Sequence, residues 1–214
     1  MCSVSLSYLI YHMFTGIIEG VAEVQAVATE GTNRIFTIKA PFQEKIQVDQ
    51  SISHNGVCLT VTSLVEVNEQ DVTYTVTAVQ ETLQKTQLNS WDKGTLVNVE
   101  RSMQVGARID GHFVQGHVDT VGKVVKVEEV GGSWIYTFSF PKENTNLLVN
   151  KGSICINGVS LTVIDANPDT FTVTIIPYTY EHTNFKALQP GMEINLEFDI
   201  LGKYIDKLLA ARMS

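Results

Sequence analysis

Cysteine is scarce in this chain, and what there is does not pair. Cys2, Cys58 and Cys155 are three, without a CxxC spacing, so neither a disulfide framework nor a zinc site is implied and no metal is expected. A reducing, cytoplasmic setting suits them. Basic residues are also few: 15 Lys and Arg stand against 23 Asp and Glu, a formal net charge of −8, and no basic cluster is denser than Lys123 to Lys126. Nucleic acid is therefore not an expected partner. Long apolar runs are missing. Residues 1–12 hold Val4, Leu6, Leu9 and Ile10 but are too short to span a bilayer and carry no basic leader, so they read as an N-terminal extension, with no membrane partner expected. No Gly-rich phosphate loop, GxGxxG, GxSxG or HExxH occurs. That removes nucleotide-driven, α/β-hydrolase and zinc-protease chemistry.

What the chain does have is a repetition. His54-Asn55-Gly56-Val57-Cys58-Leu59-Thr60-Val61 returns as Ile156-Asn157-Gly158-Val159-Ser160-Leu161-Thr162-Val163, 102 residues later (156 minus 54). Gly16-Ile17-Ile18-Glu19 lies over Gly116-His117-Val118-Asp119 at an offset of 100, and Gly94 to Glu100 over Gly191 to Glu197 at 97. Drift this small means a few loop insertions between two homologous domains of about ninety to a hundred residues each. With 44% hydrophobic residues, the 214-residue chain can bury a core in each.

Inside each copy the dominant period is two. Val72 to Val79 and Phe171 to Ile176 are rich in β-branched and aromatic residues, and Gly131-Gly132-Ser133 and Asn167-Pro168-Asp169 supply turns. About six strands per copy are expected, near 17–28, 33–39, 51–54, 57–66, 72–79 and 95–100 and their counterparts. Short strands at regular spacing favour closure into a small antiparallel barrel, which removes exposed edges. The fold class is thus all-β: two tandem six-stranded barrels, with domains over 13–107 and 108–199. Short helices are expected from Pro41 and Pro141, each placed at a helix N1 position, and after Glu81 and Glu181. The stretch 200–214 breaks the pattern. Leu201, Tyr204, Ile205, Leu208, Leu209 and Ala211 recur at three and four residue spacing, predicting an amphipathic helix that serves self-association or packs on its own barrel.

Alternation puts Cys58 and Thr60, and Ser160 and Thr162, on one face of their strands. A lone Cys in a strand is usually a small buried hydrophobe, and threonine in strands is mostly propensity, so repeat-matched pairs say more than single residues. His112 and His117 sit in a turn-rich segment entering the second copy. No carboxylate or Cys beside them completes a metal set, and a general base or hydrogen-bond donor is the better reading for one of them. The residues alone stop at a duplicated β-barrel protein with two related polar clefts.

Met13 to Gly20, His54 to Val61, Val97-Asn98-Val99-Glu100-Arg101, Gly111 to Val118 and Ile156 to Val163 together closely resemble riboflavin synthase of the alpha-chain, lumazine-binding repeat type, over about residues 13 to 212. The resemblance implies two closed barrels of Greek-key type, a C-terminal helix joining three chains into a homotrimer, and lumazine synthase as a further partner to test. It implies dismutation of two 6,7-dimethyl-8-ribityllumazine molecules by four-carbon transfer, giving riboflavin and 5-amino-6-(ribitylamino)uracil with no cofactor and no metal. Each site takes two lumazines, with the first barrel of one chain facing the second of the next. Carried over, the first pocket comprises Gly16, Ile17, Ile18, Cys58, Leu59, Thr60, Thr77, Ala78, Val79, Gln80, Glu81 and Thr82. The second comprises Gly116, His117, Val118, Lys151, Ser160, Leu161, Thr162, Ile175, Ile176, Pro177, Tyr178, Thr179 and Tyr180. His117 is the implied proton handler; Ser160, Thr162 and Cys58 stabilise the anion or assist addition at C7 of the acceptor. Asn157 stands where many relatives carry Asp, so no carboxylate role passes to it. The rival reading is a non-catalytic lumazine- or flavin-binding antenna protein, a type that tends to lose one of the Cys-Leu-Thr or Ser-Leu-Thr triplets; both survive here. A ferredoxin-reductase-like flavin domain is disfavoured by the lack of an Arg-x-Tyr-Ser/Thr motif.

Overall fold

The computed structural model describes residues 13–42, 46–67 and 71–213. The 1–12 extension and the middle of the helix expected from Pro41 lie outside the described residues. The first barrel consists of β1 (Gly20–Glu30), β2 (Asn33–Ala40), β3 (Ser51–His54), β4 (Val57–Val67), β5 (Val72–Ala78) and β6 (Leu96–Arg101). The second consists of β7 (Thr120–Val130), β8 (Ser133–Ser139), β9 (Ser153–Ile156), β10 (Val159–Ala166), β11 (Thr170–Ile175) and β12 (Glu193–Phe198). Both close, in the orders β1-β2-β5-β4-β3-β6 and β10-β11-β8-β7-β12-β9, and every pairing is antiparallel.

Closure needs strands that bend, and the bends are duplicated with the sequence. Register shifts fall between Val24 and Ala26 and, 100 residues on, between Val124 and Lys126. A second pair falls between Val61 and Ser63 and between Val163 and Asp165. Each adds the local twist that curls a sheet upon itself. Alternate residues fill the interiors: Phe36, Ile38, Tyr74, Val76, Val97 and Val99 in the first barrel, and Tyr136, Phe138, Phe171, Val173, Ile194 and Leu196 in the second. His54 is the polar exception in the first interior. Its ring nitrogens meet Ile52 O at 3.0 Å and the Tyr74 hydroxyl at 2.9 Å, and burial pushes its pKa down to about 4.

Three expectations need adjusting. β1 begins at Gly20 rather than 17, because the segment before it is drawn onto the opposite barrel, where Gly16 O accepts from Ser160 N and Ile18 packs on the second core. The helix expected after Glu181 begins earlier, as α2 (Pro177–His182), matching α1 (Gln80–Lys85) in the first copy; a 3-10 turn, Asn184–Ala187, comes directly after it. Pro177 pre-sets the first helical φ, so the helix starts there. After Pro141 the chain forms a 3-10 helix, Lys142–Leu147, and Pro141 itself is the extended residue before it rather than its first member. α3 (Ile200–Met213) ends the described chain.

The barrels meet across buried amides arranged with twofold logic. Asn55 Oδ1 accepts from Asn98 N at 2.7 Å, and Asn157 Oδ1 from Asn195 N at 2.8 Å. Asn98 Nδ2 donates to Asn157 O and Asn195 Nδ2 to Asn55 O, both at 2.9 Å. Asn55 and Asn157 take φ +46, and a Cβ on Gly56 would lie 2.9 Å from Gly158 N. The two Asn-Gly turns thus touch backbone to backbone, and only glycine permits that approach. Buried amides satisfied in this way fix one relative placement of the barrels.

Candidate active site

Cys58 and Ser160 open the outward faces of β4 and β10. Val57, Leu59 and Val61 turn inward and are buried, whereas Cys58 is half-buried and Thr60 exposed; Ser160 and Thr162 repeat this. Thr60 pairs with Ser51 across the ladder, and Thr162 with Ser153. Each site residue is then met by a loop from the other barrel. Ser160 N donates to Gly16 O and Cys58 N to Gly116 O, both at 2.8 Å. A Cβ on Gly16 would sit 2.6 Å from Ser160 Cβ, and one on Gly116 would sit 2.6 Å from Cys58 Cβ. Gly16 and Gly116, at φ +77 and +76, are the residues that can come this close.

This corrects the grouping carried over from the sequence. Gly16, Ile17 and Ile18 belong beside Ser160, and Gly116, His117 and Val118 beside Cys58. Ile18 packs on the second core and Val118 on the first. The loops cross because Phe14 and Val114 form an antiparallel bridge, with Phe14 N donating to Val114 O at 2.7 Å and Val114 N to Phe14 O at 3.1 Å. That bridge lays each entering segment over the opposite barrel, and Phe14, Val114 and Cys155 are buried together beneath it with Cys58 against them.

The histidines separate in the same way. His112 is buried, its Nδ1 lies 2.7 Å from Ser160 Oγ, and its backbone N–H donates to Thr15 O at 3.1 Å. Burial lowers the His112 pKa, and the charge of Asp199 partly offsets this. A neutral imidazole can take the Ser160 proton. His117 is exposed, on the loop that touches Cys58, and its backbone N–H donates to Glu197 Oε2 at 2.9 Å. The Cys58 thiol is pushed up by burial first, against a lowering hydrogen bond with Ser51, and Glu197 adds to the rise. Cys58 is therefore a neutral thiol at neutral pH.

The remaining carried-over residues divide by burial. Leu59, Ala78 and Ile175 point into the barrel interiors, leaving only their backbone for a ligand. Val79, Gln80, Glu81, Ile176, Pro177 and Tyr178 are exposed where β5 and β11 run into α1 and α2, with Thr77, Thr82, Thr179 and Tyr180 half-buried among them. Leu161 is half-buried against the second core, and Tyr180 stacks on Trp134 with centroids 3.7 Å apart. Lys151 is exposed at φ +67, its N–H donating to Val163 O; its counterpart at the same turn of the first barrel is Asp49, at φ +74. The half-sites thus carry opposite charges at equivalent turns. Sequence reasoning misses the His112 contact with Ser160 and the Asp199 charge near it. It also misses two carboxylates, Glu100 and Glu197, that the repeat alignment superposes. Among the described residues no three His, Cys, Asp or Glu side chains gather in a metal-binding arrangement.

A family model described as "Lumazine binding domain" matches residues 15–102 and again 115–199. Riboflavin synthase of Bacillus subtilis (strain 168) is 38% identical over 198 residues, covering 92% of this chain and 90% of the relative. The riboflavin synthase of Saccharomyces cerevisiae is 35% identical over 208 residues, covering 91% of this chain and 85% of that one. Among solved structures, LumP complexed with 6,7-dimethyl-8-(1'-D-ribityl) lumazine superposes with a TM-score of 0.74 at 21% identity, covering 86% of this chain and 98% of that one. LumP complexed with riboflavin gives 0.75 at 20% identity, with the same coverage. Two matched domains, and relatives at this identity aligned over most of their length, place the chain in the riboflavin synthase family, with each barrel a lumazine binding domain.

Proposed function

We propose that this chain converts two molecules of 6,7-dimethyl-8-ribityllumazine into riboflavin and 5-amino-6-(ribitylamino)uracil. The observation that carries the reading is the duplicated half-site: two equivalent strand starts, Cys58 and Ser160, each closed by a glycine loop from the opposite barrel. A reaction whose donor and acceptor are the same compound calls for two similar pockets with unequal chemistry. That is the pattern here. The Ser160 half carries a hydroxyl in contact with a neutral imidazole. The Cys58 half carries a neutral thiol beside the His117 loop.

In this reading the exposed apolar residues Val79, Ile176 and Tyr178 cover ring faces, while Thr60, Thr162 and Lys151 hold ribityl hydroxyls or carbonyls. Ser160, relieved of its proton by His112, assists addition at C7 of one lumazine, and His117 accepts the methyl proton of the other. Much of the acceleration comes from holding two rings in register, which positioning alone can supply on the order of several kcal/mol. A complete site takes the first barrel of one chain and the second of its neighbour in a homotrimer. The exposed apolar stripe of α3 supports this, as does a groove of about 710 Å³ beside it, lined by Leu147, Val149, Ile205 and Leu209.

Purified protein mixed with dimethylribityllumazine and no additive is expected to accumulate riboflavin, with equimolar loss of the second lumazine to the uracil product. The similarity in fold to LumP keeps an antenna reading in view. A shift of lumazine absorbance and fluorescence without riboflavin would establish that reading and sink the enzymatic one.

A further inference from the structure

Neither Glu100 nor Glu197 touches the strand faces where substrate is proposed to lie, yet both are buried and both are occupied by donors from the entering loops. Glu100, on β6, accepts from Thr15 N at 2.7 Å and Thr15 Oγ1 at 2.8 Å through Oε1, and from Gly16 N at 2.9 Å through Oε2. Glu197, its counterpart on β12, accepts from Gln115 N at 2.6 Å through Oε1 and from His117 N at 2.9 Å through Oε2. The grip continues into the opposite barrel. Thr15 O and Gly16 O receive the N–H groups of His112 and Ser160, and Gly116 O receives that of Cys58.

We infer that Glu100 and Glu197 are positioning residues for the reaction, each acting on the half-site of the other barrel through the loop that it grips. Glu100 sets the carbonyls that align His112 and Ser160; Glu197 sets the carbonyl that aligns Cys58. The inference rests on the proposed reaction for its kinetic readout but on geometry alone for the crossing. The chemistry requires a carboxylate rather than its amide. Each carboxylate accepts one backbone N–H from its loop on each oxygen, so glutamine would turn an NH₂ toward an N–H and leave one donor unpaired. Burial makes this a costly way to tie a loop, and it pushes both carboxyls up to about 7. The gain is a rigid loop carbonyl at a reacting residue, where small displacements lower the rate.

A crossed double-mutant cycle tests it. Glu100→Gln and Glu197→Gln are each expected to lower kcat at least about fivefold. Coupling is expected only across barrels: Glu100→Gln costs less than about twofold once Ser160 is alanine, yet keeps its full cost when Cys58 is alanine. Glu197→Gln keeps its full cost when Ser160 is alanine and loses it when Cys58 and His117, the two residues that its loop serves, are both alanine. Additive effects in all four combinations, or coupling within a barrel, overturn the inference. A second arm needs no activity. Amide hydrogen exchange reads the loops directly: Glu197→Gln is expected to speed exchange of the Cys58 N–H, which donates to Gly116 O, at least about fivefold and that of the Ser160 N–H less than about twofold, with Glu100→Gln showing the reverse. Equal rates overturn it. If the unmutated protein forms no riboflavin, the reaction reading fails and the exchange arm still judges the loops. Should a glutamine variant not fold, aspartate at the same position keeps the charge, draws it back by one methylene, and must give the same crossed pattern.

Discussion

Ser160 and Cys58 occupy one place in two copies, and what distinguishes them is the company each keeps. Ser160 meets the buried His112 imidazole at 2.7 Å, whereas Cys58 meets Ser51, and burial, with a smaller addition from Glu197, holds its proton on. Because one hydrogen bond joins His112 to Ser160, the two side chains should act as a unit. Ser160→Ala and His112→Gln are each expected to cost about ten- to a hundredfold in kcat, and the double variant little more than the worse single. Multiplicative losses would show that they act separately. Since the His112 pKa is lowered, its imidazole should stay neutral to more acid pH than an unperturbed histidine does. An NMR titration with its midpoint at or above 6.5 would contradict that. The outward placement of Cys58, Thr60, Ser160 and Thr162 is legible from alternation. The partner of Ser160 is not, because the contact spans 48 residues and depends on a loop folding back over a barrel end.

Strands are the most legible elements, since a period of two and a repeat at offsets of 97 to 102 constrain each other. Helices are less so. Reading from Glu181 misplaces α2, although the alignment of Glu81 with Tyr178 already puts it at Pro177. The crossing of the entering loops leaves no local signature, for a periodic pattern reports which face a residue takes and not which barrel comes to meet it. The carboxylates that hold those loops shape the pH dependence of stability. With folded pKa values of about 7 against 4.5 unfolded, Glu100 and Glu197 keep protons in the native state that the unfolded chain has released. Their contribution is full below pH 4.5 and lost as pH rises through 7. His54, lowered to about 4, works the other way: its contribution is present above 6.5 and lost as pH falls through 4. Between pH 8 and 6.5 the carboxylates dominate. Lowering the pH across that window should stabilise the protein by about 1–2 kcal/mol, or about 3–6 °C in Tm. Thermal unfolding of either glutamine variant should show roughly half the slope; an unchanged slope would mean that these carboxyls are not the titrating groups.

At the scale of the molecule, the barrels satisfy each other through the amide network, and α3 is the element left over. Leu201, Tyr204, Ile205, Leu208 and Leu209 are all more than half exposed, at 54% to 66% of their surface. A contiguous apolar face of this kind is the mark of an interface. Truncation after Asp199 is a blunt test, because it also removes Lys203, whose Nζ lies 2.6 Å from Asp119 Oδ2. That carboxylate also accepts from Phe198 N at 2.8 Å. Leu208→Glu keeps the ion pair and changes only the exposed face. In an isolated chain such a surface substitution should move stability by no more than about 0.5 kcal/mol. In a trimer it places three carboxylates in an apolar seam, which costs several kcal/mol and should leave monomers at micromolar concentration. If the complete site takes a barrel from each of two chains, those monomers keep their fold and bind lumazine but lose most riboflavin formation. Activity should then return with rising protein concentration, steeper than first order. Light scattering and initial rates on the same samples decide the matter: a folded monomer with full activity would show that one chain holds both halves of the reaction.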